Sequence, residues 1–359
     1  MGLNVTYKDL KTLCEEILRA EGFPDETASD IVEVLLEADL RDIPSHGVAR
    51  LGRYIKERER GNIRIDSEPE IIHNTPISAS VDGRGGPGQC VSKYAMDLSI
   101  QKARQSMIGL VSVRNSNHYG ISAFYSERAL TEGMIGIAMT NSYPLVVPTF
   151  GKEAVLGTNP FSIAIPGEKR DFILDMATSV VTRGKLEVYD RLEQEIPQGW
   201  AVDENGRDTS SPKKVLTNFN ERNSGGILPL GGSGEDFGGH KGYGMAILVD
   251  LLSAGLSLGK WSAETYSGSE AGVCHFFGCI SLELFGEPSA LIGHFERIVD
   301  GVVASEKAEG HEKIYYHGEK EANARERSMR IGIDLDQKTR NSLASLAGKH
   351  AIPTPEELL

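Results

Sequence analysis

Apolar residues recur at helical spacing through the first sixty positions. After Thr6 they fall at Leu10, Leu13, Cys14, Ile17 and Leu18, with Gly22 placed to cap the C-terminus. Asp25 is positioned to cap a second helix through Ile31, Val32, Leu35 and Ala38, and Ser45 a third carrying Val48, Leu51, Tyr54 and Ile55 as far as Gly61. A Pro-punctuated linker, SEPEIIHNTP, follows, and the pattern then changes to alternating units: strand ISASVDG, helix QCVSKYAMDLSIQKA, strand IGLVSVRNS, helix ISAFYSERALTE, strand MIGIAMTNS. FSIAIPG and DFILDMATS come close together with no full helix between them, which predicts a mixed sheet. Residues 186–239, rich in Gly, Pro, Asn and charge, read as loops forming a flexible flap. Regularity returns with HKGYGMAILVDLLSAGL, a strand around Cys274, a helix from Pro288 to about Ala304 and a last helix from Asp336 to Ala347. The expected fold class is α/β, with helical N- and C-terminal segments packed together and a mixed-sheet domain between them. The boundaries follow: residues 1–75 with 285–359 as the helical domain, and 76–284 as the mixed α/β domain.

A length of 359 residues suits two lobes, and 40% hydrophobic with 25% charged residues suits a packed globular core. The net charge of −13, with no block of Lys or Arg, argues against nucleic acid and anionic membrane as partners. An anionic ligand must then be met by a few placed cations inside a cleft. Cys14, Cys90, Cys274 and Cys279 form no CxxC pair, and Cys274 and Cys279 fall on opposite faces of one strand, so they read as core thiols in a reducing compartment with no metal. The first residues lack the basic and apolar signature of a signal, and no apolar run approaches membrane-spanning length. The expected address is cytoplasmic.

VDGRGGPGQC places Gly83, Gly85 and Gly88 in a G-x-G-x-x-G frame between a strand and a helix, the setting of a Rossmann dinucleotide turn. That turn requires an acid at the end of the next strand to hold the ribose. The strand runs out instead through Val113, Arg114, Asn115 and Ser116. With Pro87 inside the turn as well, a structural glycine turn is the better reading.

Three histidines sit in glycine- or amide-flanked contexts: His46 in PSHGVAR, His118 in RNSNHYG and His240 in GGHKGYG. His118 lies at a strand-to-helix junction, where α/β proteins collect their sites. His46 falls at the first turn of the predicted third helix, whose dipole is expected to disfavour the imidazolium. Arg50 follows one turn later and Arg53 one turn after that, so an imidazole and two fork-shaped cations share a region. A keto acid needs this combination: a clamp for the carboxylate and a donor beside the carbonyl. The run GGHKGYG adds free helix-start amides, Gly242 and one cation, Lys241, with close helix packing as the alternative use of its glycines.

SHGVARLGRY, RNSNHYGISAFY, MTNSYPLVVP, LGTNPFSIAIP, LDMATSVV, GKLEVY, GGHKGYG and YYHGEK, in this order, resemble the type-2 malate/L-lactate dehydrogenase family. The likeness runs from about residue 6 to about residue 335 and departs most over 203–238. It implies an NAD- or NADP-dependent transfer of a hydride to or from a small 2-hydroxy or 2-keto carboxylic acid, with malate and oxaloacetate the first expectation. Lactate, sulfolactate, ureidoglycolate and keto- or imino-acid substrates are alternatives within the family. It also implies a non-Rossmann nicotinamide-binding domain and a homodimer with its sites near the subunit interface. Position by position, His118 is the implied acid/base residue, with His46 as the alternative, and Arg50 lines the substrate pocket. Ser142, Asp175, Met176, Ala177, Lys241, Gly242, His317, Gly318 and Glu319 match cofactor contacts. A hydrolase using Ser45 or Ser116, for which the sequence has no G-x-S-x-G elbow, is the rival from another enzyme class, and a nucleotide-binding protein without turnover is a remote third.

Overall fold

Thr6 opens the first helix, α1 (Tyr7–Ala20), by accepting the Asp9 N–H at 3.1 Å, which satisfies one amide that a helix start leaves unpaired. The computed structural model describes residues 4–358. Leu10, Leu13, Cys14, Ile17 and Leu18 are buried, and α1 packs on α2 (Asp25–Leu40). Asp25 is the first helical residue of α2 and not its cap; Pro24 takes the cap position, and Asp25 and Glu26 face the positive end of the helix dipole.

The third helix starts later than its pattern predicts. Two 3₁₀ turns, Pro44–His46 and Val48–Arg50, precede α3 (Leu51–Glu59), and Ser45 caps nothing. Gly47 is extended, with ψ −159°, so no helix can run from Ser45 through it. The buried Asp39 carboxylate takes the capping role instead, accepting the Val48 N–H at 2.8 Å.

The expected linker carries a strand, β1 (Glu70–Asn74), exposed along its length and flanked by Pro69 and Pro76, which is why it reads as a connection. Then come β2 (Ser78–Asp82), α4 (Gly88–Ser106), β3 (Ile108–Ser116) and α5 (Ala123–Ser126), which tightens into a 3₁₀ turn at Glu127–Glu132 where a single helix was expected. β4 (Met134–Thr140), β5 (Phe161–Ile165) and β6 (Phe172–Met176) follow.

Residues 186–239 are not a flap of loops. They belong to a small folded unit of α6 (Arg183–Arg191), β7 (Ala201–Val202), α7 (Pro212–Glu221) and β8 (Gly226–Ile227). Leu186, Val215, Phe219 and Ile227 share a core with Leu145, Val146 and Leu156. Leu186, Ile196, Ala201, Val215, Phe219 and Ile227 supply much of that core from inside the segment, but its elements are short and separated by Gly-, Asn- and Pro-rich turns, and Leu145, Val146 and Leu156 from outside complete it. α8 (Gly239–Asp250) then runs into a π turn at Leu251–Gly255, and β9 (Val273–Ser281) closes the sheet.

The seven-stranded sheet has the order β1-β2-β3-β9-β4-β5-β6. Among the described residues only β2 and β3 pair in parallel; every other neighbour is antiparallel. A Rossmann sheet is mostly parallel, whereas here one neighbour pair is parallel and the rest antiparallel, so this mixed sheet is a different fold. β9 sits in the middle, carrying Cys274, His275, Phe277 and Cys279 fully buried.

α9 (Pro288–Val303) lies against the β5–β6 turn, where Glu296 accepts the N–H groups of Glu168 and Lys169 at 2.9 and 2.6 Å. α10 (Glu319–Ile331), whose sequence shows no apolar stripe, packs on α2, and α11 (Gln337–Lys349), capped by Asp336, packs on α1. Val5 and Ile333 exchange backbone hydrogen bonds of 3.0 and 2.8 Å, and Leu335, Leu343 and Ala347 join the core of the first three helices. The chain ends therefore build one helical layer. Among the described residues no helix is long and apolar enough to cross a membrane.

Candidate active site

β3 delivers His118, and the glycine turn before α4 holds it in place. A Cβ on Gly88 would stand 2.3 Å from the Asn117 carbonyl oxygen and 2.4 Å from that of His118, so α4 can approach this backbone only through a glycine. The Asn117 amide shares its hydrogens among the carbonyls of Asn62, Gly85 and Gly86 at 2.9–3.1 Å. The glycines thus serve close packing.

The His46 ring stacks on His118 with centroids 5.6 Å apart and planes 22° from parallel. His118 Nδ1 meets the hydroxyl of the buried Tyr54 at 2.8 Å, and His46 Nδ1 meets Ser45 Oγ at 2.9 Å. Both rings are held neutral. Burial, then Arg50 and Arg53, lowers His46 to about 4; burial, then Arg53, His46 and Arg50, holds His118 well below the ordinary imidazole range. The helix dipole expected to act on His46 is absent, because no α-helix begins at that residue.

Arg50 is turned by its Nε donating to the Ser45 carbonyl at 2.6 Å. Arg53 donates to Tyr266 Oη at 3.2 Å and lies over that ring, 5.7 Å from its centroid. Among the described residues neither guanidinium has a carboxylate within ion-pair distance. Burial and the neighbouring Arg53 charge together lower the Arg50 pKa. Nearby Tyr266, Tyr54 and Glu57 hold Arg53 protonated against its burial, but two partly buried cations with no carboxylate in direct contact, beside two neutral imidazoles, make a place for an anion.

A cavity of about 870 Å³ extends from His46 to His317 and Gly318. Asp175, Met176 and Ala177, at the end of β6, form part of its wall. Asp175 accepts the Ala123 N–H at 2.8 Å, and burial raises its carboxyl to about 6. Gly318, with φ +91°, lets the His317 turn approach Ile173, whose N–H donates to the His317 carbonyl at 3.2 Å. Glu319 starts α10 beside this turn and pairs with Lys313. Ser142 stands behind the wall, its Oγ accepting the N–H of the lining residue Thr158 at 3.1 Å. Lys241, exposed, and Gly242, packed on Leu230, sit at the start of α8 outside the lining.

Tyr54 and Tyr266, which touch His118 and Arg53, are site residues that the sequence reading passed over. A tyrosine on a buried helix face must find a hydroxyl partner, and that was the available signal for Tyr54. His275 was ordinary in sequence. It is buried between Thr140 Oγ1 and Ser116 Oγ, both at 2.8 Å, and stacked on Tyr119 with planes 3° apart. Burial lowers it to about 3, which makes it a structural imidazole. Asp250 ties the TNS and TNP turns to α8, accepting from the Asn141 and Asn159 amides at 3.0 Å and from Ser262 Oγ at 2.7 Å.

The family model described as malate/L-lactate dehydrogenase matches residues 5–344. The chain belongs to the malate/L-lactate dehydrogenase family. It is 45% identical over 347 residues to the malate dehydrogenase of Pyrococcus abyssi, covering 96% of this chain and 94% of that one. It is 37% identical to the L-sulfolactate dehydrogenase of Methanocaldococcus jannaschii, over 94% of this chain and 95% of that protein. The crystal structure of malate dehydrogenase from Entamoeba histolytica superimposes with a TM-score of 0.94 at 33% identity, covering 99% of this chain and all of the other. The protein is therefore an oxidoreductase. In this dehydrogenase the rival nucleophile Ser116 is sealed from solvent, its hydroxyl bound to His275.

Proposed function

We propose that this dehydrogenase interconverts malate and oxaloacetate with NAD or NADP. The observation that carries the reading is the pair Arg50 and Arg53, neither in contact with a carboxylate, beside the stacked imidazoles of His46 and His118. A dicarboxylate supplies two charges where the protein has two cations waiting. The cleft fits a dinucleotide: it has the volume, and Gly120, Ala123, Ala177 and Gly318 keep its wall slim. Asp175, Met176, Ala177, His317 and Gly318 are the contacts proposed along it, with Ser142, Lys241, Gly242 and Glu319 as further contacts on the family resemblance.

When bound, the nicotinamide supplies or takes the hydride. Arg50 clamps the C1 carboxylate and Arg53 meets the one at C4. His118 gives a proton to the substrate oxygen during reduction and takes it back during oxidation, while His46 stabilises the developing alkoxide. Reduction needs an imidazolium, which the free site disfavours. Substrate carboxylates resting on Arg50 and Arg53 cancel the charges that oppose protonation and so raise the His118 pKa when the proton is needed.

The helical layer built from both chain ends forms the substrate-binding and dimerisation side, and the mixed sheet the cofactor side. A homodimer is supported by the exposed apolar face of α8 and its π turn, where Leu248, Leu251 and Leu256 are about half exposed (49%, 59% and 56%). Four unpaired thiols support the cytoplasmic address.

The test is a binding titration with NADH and NADPH followed by initial rates on oxaloacetate, sulfopyruvate and pyruvate. Oxaloacetate should exceed pyruvate in kcat/KM by about tenfold or more. Equal rates on pyruvate would remove the malate assignment; a preference for sulfopyruvate would move the second anion from carboxylate to sulfonate.

A further inference from the structure

Tyr266 has φ +54°, a left-handed conformation that a bulky side chain adopts only where its surroundings force it. Here they do. The Tyr266 N–H donates to the Ala271 carbonyl at 2.8 Å, and the loop is anchored upstream at Ser262, whose N–H and hydroxyl donate to the buried Asp250 carboxylate at 3.0 and 2.7 Å. The side chain so placed has two neighbours. Its hydroxyl accepts from Arg53 at 3.2 Å with the guanidinium over the ring, and the ring meets that of Tyr143 edge-on, centroids 6.1 Å apart. Tyr143 and Tyr266 both line a second cavity, of about 210 Å³, to which Arg53 does not contribute. Asn218, buried with its amide nitrogen unpaired, lies in the wall of that cavity together with Arg222, Glu153 and Thr265. Tyr266 thus touches Arg53 and the cavity, while Arg53 touches only Tyr266 of the two.

We infer that the Tyr266 ring is the wall that sets substrate length: it closes the pocket behind the carboxylate held by Arg53 and keeps that carboxylate out of the second cavity. This rests on the reading that Arg53 meets the far carboxylate of a 2-keto dicarboxylic acid. A four-carbon diacid resting on Arg50 and Arg53 ends at the ring. A five-carbon diacid is one methylene longer, so it must push the ring aside, against a backbone already strained, or draw its keto carbon away from His118. A single misfitting methylene is worth about 10- to 200-fold in kcat/KM. With the ring removed, the cavity takes the extra length, and the Asn218 amide and the Arg222 guanidinium can donate to the displaced carboxylate. Hydroxyl and ring therefore have separate tasks. The hydroxyl steadies Arg53, and the ring limits how far a substrate can reach.

The readout is the ratio of kcat/KM for 2-oxoglutarate to that for oxaloacetate, which a general loss of structure does not move. Tyr266→Ala should raise this ratio about tenfold or more over the wild type, chiefly by gaining 2-oxoglutarate turnover. Tyr266→Phe keeps the wall and loses only the hydroxyl; it should change the ratio less than about threefold while lowering kcat/KM for oxaloacetate about three- to tenfold. If Tyr266→Ala does not fold, Tyr266→Gly makes the same test, since glycine accepts this φ without strain. A ratio left unchanged by removal of the ring would overturn the proposal, and so would a Tyr266→Phe shift as large as that of Tyr266→Ala. Arg53→Met separates this outcome from that of the malate reading. If it abolishes the preference for oxaloacetate over pyruvate while Tyr266→Ala leaves the chain-length ratio untouched, the malate reading stands and the wall falls. If it leaves that preference intact while Tyr266→Ala moves the ratio, the second-carboxylate role of Arg53 falls and the wall stands.

Discussion

The imidazoles of His46 and His118 lie face to face, centroids 5.6 Å apart, with the Tyr54 hydroxyl 2.8 Å from His118 Nδ1. Two such rings cannot both be charged at low cost, and burial first, then the Arg50 and Arg53 guanidiniums, make even one charge expensive in the free enzyme. Oxaloacetate kcat/KM, which reports the free enzyme, should therefore keep rising as pH falls below about 6.5, because only the protonated fraction is productive and the His118 pKa is depressed. The kcat profile, which reports the complex, should break at a higher pH, since bound carboxylates offset the arginines. Coincident profiles would show that substrate does not retune the imidazole.

His118→Ala should lower kcat by roughly two to four powers of ten while leaving NADH or NADPH binding near wild type by fluorescence titration. His46→Ala should cost less, because the ring supports the alkoxide and does not carry the proton. The reverse order of severity would transfer the acid/base role to His46.

Arg53 is held by Tyr266 in the free protein, so its position does not depend on substrate. Arg53→Met should remove much of the preference for oxaloacetate over pyruvate and spare pyruvate turnover. Losing one charged partner in a partly buried site costs about 1.5–3 kcal/mol, roughly ten- to a hundredfold in kcat/KM. If both substrates lose equally, Arg53 serves the architecture and not the second carboxylate.

Gly47 sits where a Cβ would fall 1.8 Å from Asp39 Oδ1, the carboxylate that holds the His46–Arg50 turn. Gly47→Ala should destabilise the protein by about 1–3 kcal/mol in urea unfolding and raise the substrate KM through displaced Arg50. Gly52→Ala is the control: its Cβ meets only Leu346, at 3.8 Å, within α3, and should be neutral or stabilising by about 0.5–1 kcal/mol. Equal behaviour of the two variants would show that the Asp39 contact is not limiting.

The wild type should run as a dimer in light scattering, and Leu251→Asp, which charges the apolar face of α8, should shift it toward monomer. A wild-type monomer, or a Leu251→Asp dimer, would place the interface elsewhere.

The sequence by itself determined the elements whose apolar residues repeat over a few positions. α1, α4, β3, β4 and β9 were legible because amphipathic spacing and strand alternation are local properties. It also marked His46, Arg50, Arg53 and His118, since glycine- and amide-flanked polar residues stand out from a core pattern, and the structure brings those four together. Tertiary structure alone decided what each of them touches. Tyr54 reaches His118 across 64 residues and Arg53 reaches Tyr266 across 213, and no periodicity encodes a partner so far away. The same holds for β1, too polar to announce itself without β2; for the unit around α6 and α7, whose core is completed by Leu145 and Leu156; and for the turn at Gly47, which Asp39 shapes from the preceding helix. Helix and strand are written in neighbouring residues; protonation states and counter-charges depend on burial and on groups that only folding brings within a few ångströms.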